Sequence, residues 1–492
     1  MTHFVFLAAA LLLVSIVLSK TSYKFGMPSL LLFLVTGILA GSEGIGGIEF
    51  DDYGFAQVIG NIALIFIMFS GGMETKFSTI RPVLAQGVVL STLGVLLTVF
   101  VVGGFVYLVT DFPLLVSMLI GSIVSSTDAA AVFGVFRTRK MGLKNNLRPL
   151  LELESGSNDP MAYIMTTTFI YLIQQPDTSF ASMAWLLVRS IVLGTVAGWA
   201  FGKTSLLLIN RIRLDTDGLY PVLVMATTLL TFASTDLIGG NGFLAIYISA
   251  VILGNGNFVH KRSLMQFNDG LAWLMQVVMF LMLGLLVYPS KIVPVIGIGL
   301  VISFFMILVA RPLVIFILTA FSRFSLRDKI FISWGGLRGA VPIVFASYAL
   351  VAGVPHADTI FNIVFFISIS SVLIQGTSLP LMARWLGLDL PSSDARQHPL
   401  DYEISESFKS ELVDVPVLEE AFIVDKKVVD LKIPHSVMII LIYRNDKYFA
   451  PNGSTVIERH DVLTLMSENE KDVEYVRSMC QNASAPVRKA ES

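Results

Sequence analysis

Two aspartates, Asp128 and Asp159, each lie deep inside an apolar stretch long enough to cross a bilayer. The basic loop from Arg137 to Arg148 separates the two stretches, and each carboxylate falls about ten residues from it, which at ~1.5 Å per helical residue is ~15 Å, the middle of a ~30 Å hydrocarbon core. Two adjacent spans therefore set two carboxylates at one depth. Ionisable groups there are expensive and usually belong to an ion or proton path. The single cysteine, Cys480, excludes a disulfide framework, and Cys/His metal spacing is absent. The six histidines fall near span ends, in loops or in the tail, so proton handling inside the membrane falls to carboxylates.

The residues around the two acids are of the kinds that bind hard cations. Ser125-Ser126-Thr127-Asp128 is able to loosen its helix by side-chain bonds to the backbone, freeing carbonyls as cation ligands. In Glu154-Ser155-Gly156-Ser157-Asn158-Asp159-Pro160, Ser155 shares a helix face with Asp159, while Glu154 and Asn158 share a neighbouring face. Pro160 removes a donor and can kink the helix. Trp334 to Pro342 holds three glycines and a proline, which predicts a broken or closely crossed helix. Its direction is opposite to that of the segment carrying Asp128, as in inverted-repeat transporters. Arg311 and Arg338 are intramembrane cations, each needing a carboxylate or several carbonyls. Glu154 is the natural partner of Arg311, which leaves Asp128 and Asp159 for an ion. Arg189 is expected to snorkel. Glu74, at the inner end of the third span, is either an interfacial acid or a lining of the cytoplasmic access path.

The elements that must position these residues are helices in a bilayer. The chain has 492 residues, 54% hydrophobic and 14% charged, too apolar for a soluble protein of this length. A net charge of −2 argues against a nucleic-acid partner. About thirteen spans are predicted, near 4–19, 27–41, 55–72, 83–109, 113–136, 149–173, 181–209, 219–236, 242–258, 270–288, 292–320, 328–351 and 359–383. The first carries no basic n-region and reads as a retained span rather than a cleaved signal. Basic residues fall in alternate loops: Lys20 and Lys24, Lys76 and Arg81, Arg137 to Arg148, Arg211 and Arg213, Lys261 and Arg262, Arg323 to Lys329, then Arg384. The opposite loops carry essentially Lys291, beside acids such as Glu49 and Asp111. This asymmetry places the N-terminus outside and the C-terminus in the cytoplasm.

After residue 390 the composition changes. Residues 391–410 read as a polar linker, 411–480 as a small α/β domain, and 481–492 as a disordered tail. Val437–Tyr443 is a strand, Arg444–Lys447 a turn, Asp461–Met466 the start of another strand, and Glu468–Met479 a helix.

Thr127-Asp128, ESGSNDP at 154–160, the arginine of ARP at 310–312 and GGLRGAVP at 335–342 together resemble the NhaP-type monovalent cation/proton antiporters of the CPA1 branch, in order and spacing across the whole membrane part. The resemblance implies an all-α polytopic membrane protein of two inverted repeats with broken crossing helices. A core of spans 4–6 and 11–13 would move against a dimerisation domain of spans 1–3 and 7–10, so a homodimer is expected. It implies Asp159 and Asp128 as ion-binding acids, Ser155 and the Thr127 backbone as further ligands, and Glu154 as a salt-bridged structural acid. Asn158 stands where electrogenic relatives carry a second aspartate, which implies electroneutral exchange. Residues 411–480 resemble the C-terminal subdomain of RCK (TrkA-C) modules. With the membrane part, this looks like the bacterial inner-membrane potassium/proton antiporters of the NhaP family. The transported ions would be K+ or Na+ and H+, with no cofactor, a membrane-lipid environment and an unidentified small regulator of nucleotide type at the tail.

Coupling follows from chemistry of this kind. A bare carboxylate in a poorly solvated cavity is costly, and either a proton or a dehydrated cation neutralises it. If the site holds one or the other, and crosses slowly when empty, the two fluxes are coupled. Two other classes fit less well. A channel would need a selectivity-filter sequence such as TVGYG, and an intramembrane aspartyl protease its YD and GxGD contexts; both are absent.

Overall fold

A computed structural model gives the architecture. It describes residues 2–25, 29–128, 132, 136, 141–391, 411–418, 421–431, 433–434, 436–444, 447–467 and 470–481. The chain divides into two compact units, 1–394 and 395–492.

The first unit is helical and follows the thirteen expected spans. The first four are Thr2–Phe25, Ser29–Ala40, Tyr53–Glu74 and Leu84–Val109. The fifth begins as Leu114–Ile123 and the sixth is Leu147–Gln174. Next come Phe180–Arg211, Leu219–Leu237, Gly242–Asn255 and Lys261–Leu285. The eleventh runs through Ile296–Phe305, a π turn Met306–Ala310, and Arg311–Leu318. The twelfth is split into Leu326–Trp334 and Ala340–Val351. The thirteenth is Ala357–Ser371, a π turn Val372–Gly376, and Thr377–Trp385.

The tenth helix starts nine residues before the expected 270, because Lys261, Arg262 and Asp269 are helical although too polar for an apolar window. Among the described residues, seven helices are long and apolar enough to cross a bilayer by themselves. Spans 1, 2 and 9 are shorter apolar helices, and the fifth and twelfth miss that standard because they are interrupted. The sixth misses it because of the polar run from Glu154 to Asp159. Their polarity is tolerable only inside protein.

Packing sorts the helices into two groups. Spans 4, 5 and 6 pack on one another, span 11 packs on 4, 12 and 13, and 12 packs on 13. Spans 1, 2, 3 and 10 form a second cluster, joined through span 3 to span 9 and thence to 7 and 8. Spans 2 and 10 approach so closely that a Cβ at Gly37 or Gly284 would overlap the facing backbone. The groups meet where span 3 touches 12 and where spans 7 and 9 touch 6.

A two-stranded sheet pairs Met141–Leu143 with Asp389–Pro391, antiparallel. Lys144 adds two bonds, its amide to the Leu388 carbonyl at 3.0 Å and its Nζ to the Gly387 carbonyl at 2.9 Å. Pro391, expected to open the linker, thus belongs to the membrane unit. The rest of the linker, the basic residues Arg137, Arg139 and Lys140, and the tail 482–492 lie outside the described residues; Gln481 ends a helix.

The second unit is a four-stranded antiparallel sheet in the order Glu411–Pro416, Val462–Ser467, Val437–Arg444, Lys447–Phe449. The first strand was not foreseen, because Asp414 and Pro416 break its apolar pattern. The helix Glu470–Gln481 packs on the strands Glu411–Pro416 and Val462–Ser467. Val415, Ile442, Leu463, Leu465, Val476 and Met479 form the core. Arg444 is held by buried Asp461 through Nε at 2.8 Å and Nη2 at 2.7 Å, and bonds to Glu458 as well. Those bonds to Asp461 hold the guanidinium above its ordinary pKa. Burial pushes the Cys480 thiol up to about 12, so it is an inert core residue.

Candidate functional site

The interruptions of spans 5 and 12 meet. The helix of span 5 ends at Ile123, and residues 124–128 are unwound before Val132 and Phe136 are helical again. Ser125 Oγ turns back onto the Ser122 carbonyl at 2.6 Å, the local competition with helix expected of such residues. In span 12, residues 336–339 are unwound between the half-helices. The two stretches bond directly, Asp128 N donating to the Leu337 carbonyl at 2.8 Å. Gly339 lies so close that a Cβ there would overlap the Asp128 carboxylate.

Arg338 fastens the crossing. Its Nη1 donates to the carbonyls of Ser125 at 2.9 Å and Ser126 at 2.6 Å. Two of the carbonyls freed by unwinding are therefore taken by Arg338, which was expected to need a carboxylate or several carbonyls. Residues not singled out in the sequence complete the support. Arg338 N donates to Ser371 Oγ at 3.0 Å, and Ser371 Oγ donates to Gln375 Oε1 at 2.6 Å. Gln375 Nε2 then satisfies the Trp334 carbonyl at the end of the first half-helix, at 2.9 Å. The π turn in span 13 carries Gln375, as π turns often do at functional positions. The sequence signal for this is the buried polar set Asn362, Ser368, Ser370, Ser371 and Gln375 in an otherwise apolar span.

Span 6 lays its polar run against the unwound stretch of span 5. Asp159 Oδ1 accepts from Ser126 Oγ. Ser155 Oγ donates to the Thr127 carbonyl at 2.6 Å, and Asn158 Nδ2 donates to Thr127 Oγ1 at 2.5 Å. The Thr127 amide reaches Asn158 Oδ1 at 3.4 Å. Asp128, Thr127, Ser155, Asn158 and Asp159 are thus brought together, with Ser126 a member that motif reading left unused. Asp159 is 7% exposed and Asp128 half-buried. The helix continues through Pro160 without a break, and the Pro160 carbonyl accepts from Asn241 Nδ2 at 2.7 Å.

On the neighbouring face Glu154 meets Arg311, as their chemistry predicted. Arg311 Nη1 and Nη2 bind the two carboxylate oxygens at 2.5 and 2.9 Å, a bidentate pair with both residues at most 5% exposed. The π turn Met306–Ala310 delivers Arg311 there. Arg189, expected to snorkel, is exposed and donates to the Ile238 carbonyl at the end of span 8 at 2.7 Å. Glu74 is the last residue of its helix and is exposed.

Two unwound segments crossing beside buried carboxylates, in oppositely directed helices, define a secondary transporter whose site lies at the repeat interface. The chain belongs to the sodium/hydrogen exchanger family, whose transmembrane model matches residues 8–385, and a TrkA-C domain follows at 412–474. It is a membrane cation/proton antiporter. It is 38% identical over 483 residues to K(+)/H(+) antiporter NhaP2 of Shewanella baltica (strain OS223), covering 98% of this chain and 83% of that protein. Over 458 residues it is 36% identical to K(+)/H(+) antiporter NhaP of Alkalimonas amylolytica, covering 93% and 79%. The solved sodium proton antiporter MjNhaP1 from Methanocaldococcus jannaschii superposes with a TM-score of 0.69 at 24% identity, covering 78% of this chain and 99% of that one. That likeness bears on the fold.

Proposed function

We propose that this protein exchanges potassium for protons at Asp159, with Asp128, Ser155 and the Thr127 carbonyl as further cation ligands. The observation that carries this reading is the contact of buried Asp159 with the Ser126 hydroxyl in the unwound stretch of span 5, while Ser155 on the same helix holds the carbonyl of the next residue, Thr127. Hard monovalent cations take such ligands. A proton on Asp159 and a cation beside it neutralise the same charge, so loading one releases the other. The bare anion is costly to carry through a closed, dry intermediate, which holds back the empty carrier.

Glu154, Arg311 and Arg338 are structural in this scheme, because their charges are already engaged. Asn158 holds Thr127 and adds no titratable charge, which supports electroneutral exchange. Potassium is favoured over sodium by the 36–38% identical relatives, which are named as K(+)/H(+) antiporters. The basic loops support a multi-pass protein of a bacterial inner membrane with the N-terminus outside and the TrkA-C unit in the cytoplasm, where a small ligand regulates exchange. Spans 1–3 and 7–10 would hold a homodimer. Glu74 would line the cytoplasmic path to the site.

The test is dye-reported proton flux in proteoliposomes driven by potassium, sodium, rubidium or lithium. Asp159→Asn should abolish exchange with every cation while the protein stays folded. Cation-driven proton flux above empty-liposome background in Asp159→Asn would remove Asp159 from the centre of the mechanism. A response to sodium with none to potassium would replace potassium by sodium.

A further inference from the structure

Ser126 is fully buried and bonds directly to Asp159, although sequence alone assigns it no role of its own within Ser125-Ser126-Thr127-Asp128. Its backbone is clamped. Arg338 Nη1 holds its carbonyl at 2.6 Å, and Asp128 N, two residues on, is tied to the Leu337 carbonyl at 2.8 Å. Its hydroxyl therefore turns on a fixed frame. A hydroxyl carries one donor and two acceptor lone pairs, and rotation about Cβ–Oγ exchanges them without moving a heavy atom.

Thr127 Oγ1 accepts from Asn158, and Ser155 Oγ donates to the Thr127 carbonyl. These bonds leave lone pairs, on Ser155 Oγ and on the carbonyl oxygen, that a cation can take without breaking them. Ser126 differs, because its hydroxyl is spent on the charge that the cation itself neutralises. When a cation sits at Asp159, the serine proton is no longer needed there.

We propose that Ser126 is a switchable ligand of the exchange site. Its hydroxyl donates to the bare Asp159 carboxylate, accepts from the protonated one, and turns a lone pair onto the bound cation. It is thereby a determinant of cation affinity, and Arg338 is the positioning residue that keeps it in reach. This inference rests on Asp159 being the exchange site.

The experiment compares Ser126→Ala, Ser126→Cys and Ser126→Thr in the full chain, in proteoliposomes at one fixed pH, reading KM and Vmax for potassium and for sodium. Thiols are poor ligands for hard cations but similar in size to the hydroxyl, so the Cys variant preserves packing. Ala and Cys should raise the cation KM about tenfold, the scale of one lost bond to a charged group. Vmax should change by less than about twofold, since Asp159 still carries the exchange. Thr, which keeps a hydroxyl, should restore KM. A wild-type KM for both cations in Ala or Cys overturns the proposal. So does a loss confined to Vmax or to thermal stability, which a packing role would produce. Asp159→Asn separates the two levels. Exchange retained there sinks the site reading, whereas exchange lost there with unaffected Ser126 variants sinks only this inference.

Discussion

Glu154→Ala should cost folding rather than selectivity. The carboxylate makes both short bonds to Arg311, at 2.5 and 2.9 Å, and both residues are withdrawn from solvent. Without it the guanidinium keeps, among the described residues, one long contact, Nη2 to the Ile332 carbonyl at 3.5 Å, while its buried Nε has no partner among them. Stranding a buried charge in this way costs about 3–5 kcal/mol. Against a total stability of roughly 5–15 kcal/mol that is a large share. The expected outcome is a much lower yield of folded protein and a lower melting temperature in detergent, with an unchanged cation KM in whatever folds. Glu154→Gln, which keeps an acceptor, should fall between. Replacing both partners, as Glu154→Leu with Arg311→Met, removes the stranded charge and should recover much of the loss. Thermal denaturation of the four proteins, with transport on the folded fraction, decides it. If Glu154→Ala melts like the parent and only its cation affinity shifts, Glu154 belongs to the ion site. A double variant as unstable as the single would refute the stranded-charge account.

Gly339→Ala should abolish transport, because the added Cβ would overlap the Asp128 carboxylate at the crossing; Gly353→Ala, where a Cβ meets nothing but φ is +65°, gives a control for folding cost alone. Normal flux in Gly339→Ala would show that the crossing is not held this tightly. Asn158→Asp adds a second titratable group beside Asp159 and should make exchange respond to a clamped membrane potential; flux insensitive to the clamp would count against Asn158 as the source of electroneutrality. Removing residues after about 395 should leave exchange in place but change its pH dependence or ligand response, since the membrane unit closes on itself through the Met141–Leu143 and Asp389–Pro391 pairing. Complete loss of flux in a well-folded truncation would contradict that modularity.

The sequence by itself determined the rods and the types of chemistry. Apolar runs of bilayer length can only be helices, since an unpaired backbone in lipid is prohibitively costly. For that reason thirteen spans were legible from hydropathy, together with Asp128 and Asp159 as polar intrusions. The Glu154–Arg311 pair was legible too, because a buried arginine demands a counter-charge and few were on offer. What required tertiary structure was which oxygen meets which donor. Ser126 reads as one hydroxyl among several until span 6 is laid against span 5. The carbonyls of Ser125 and Ser126 read as free ligands until Arg338, more than two hundred residues later, crosses above them. Ser371 and Gln375 have no local role that a pattern could expose; they satisfy the broken ends of a different helix. Hydrophobic period and helix length are local properties of the chain. The partner of a buried polar group is set by packing between distant segments, and a one-dimensional sequence does not carry that distance.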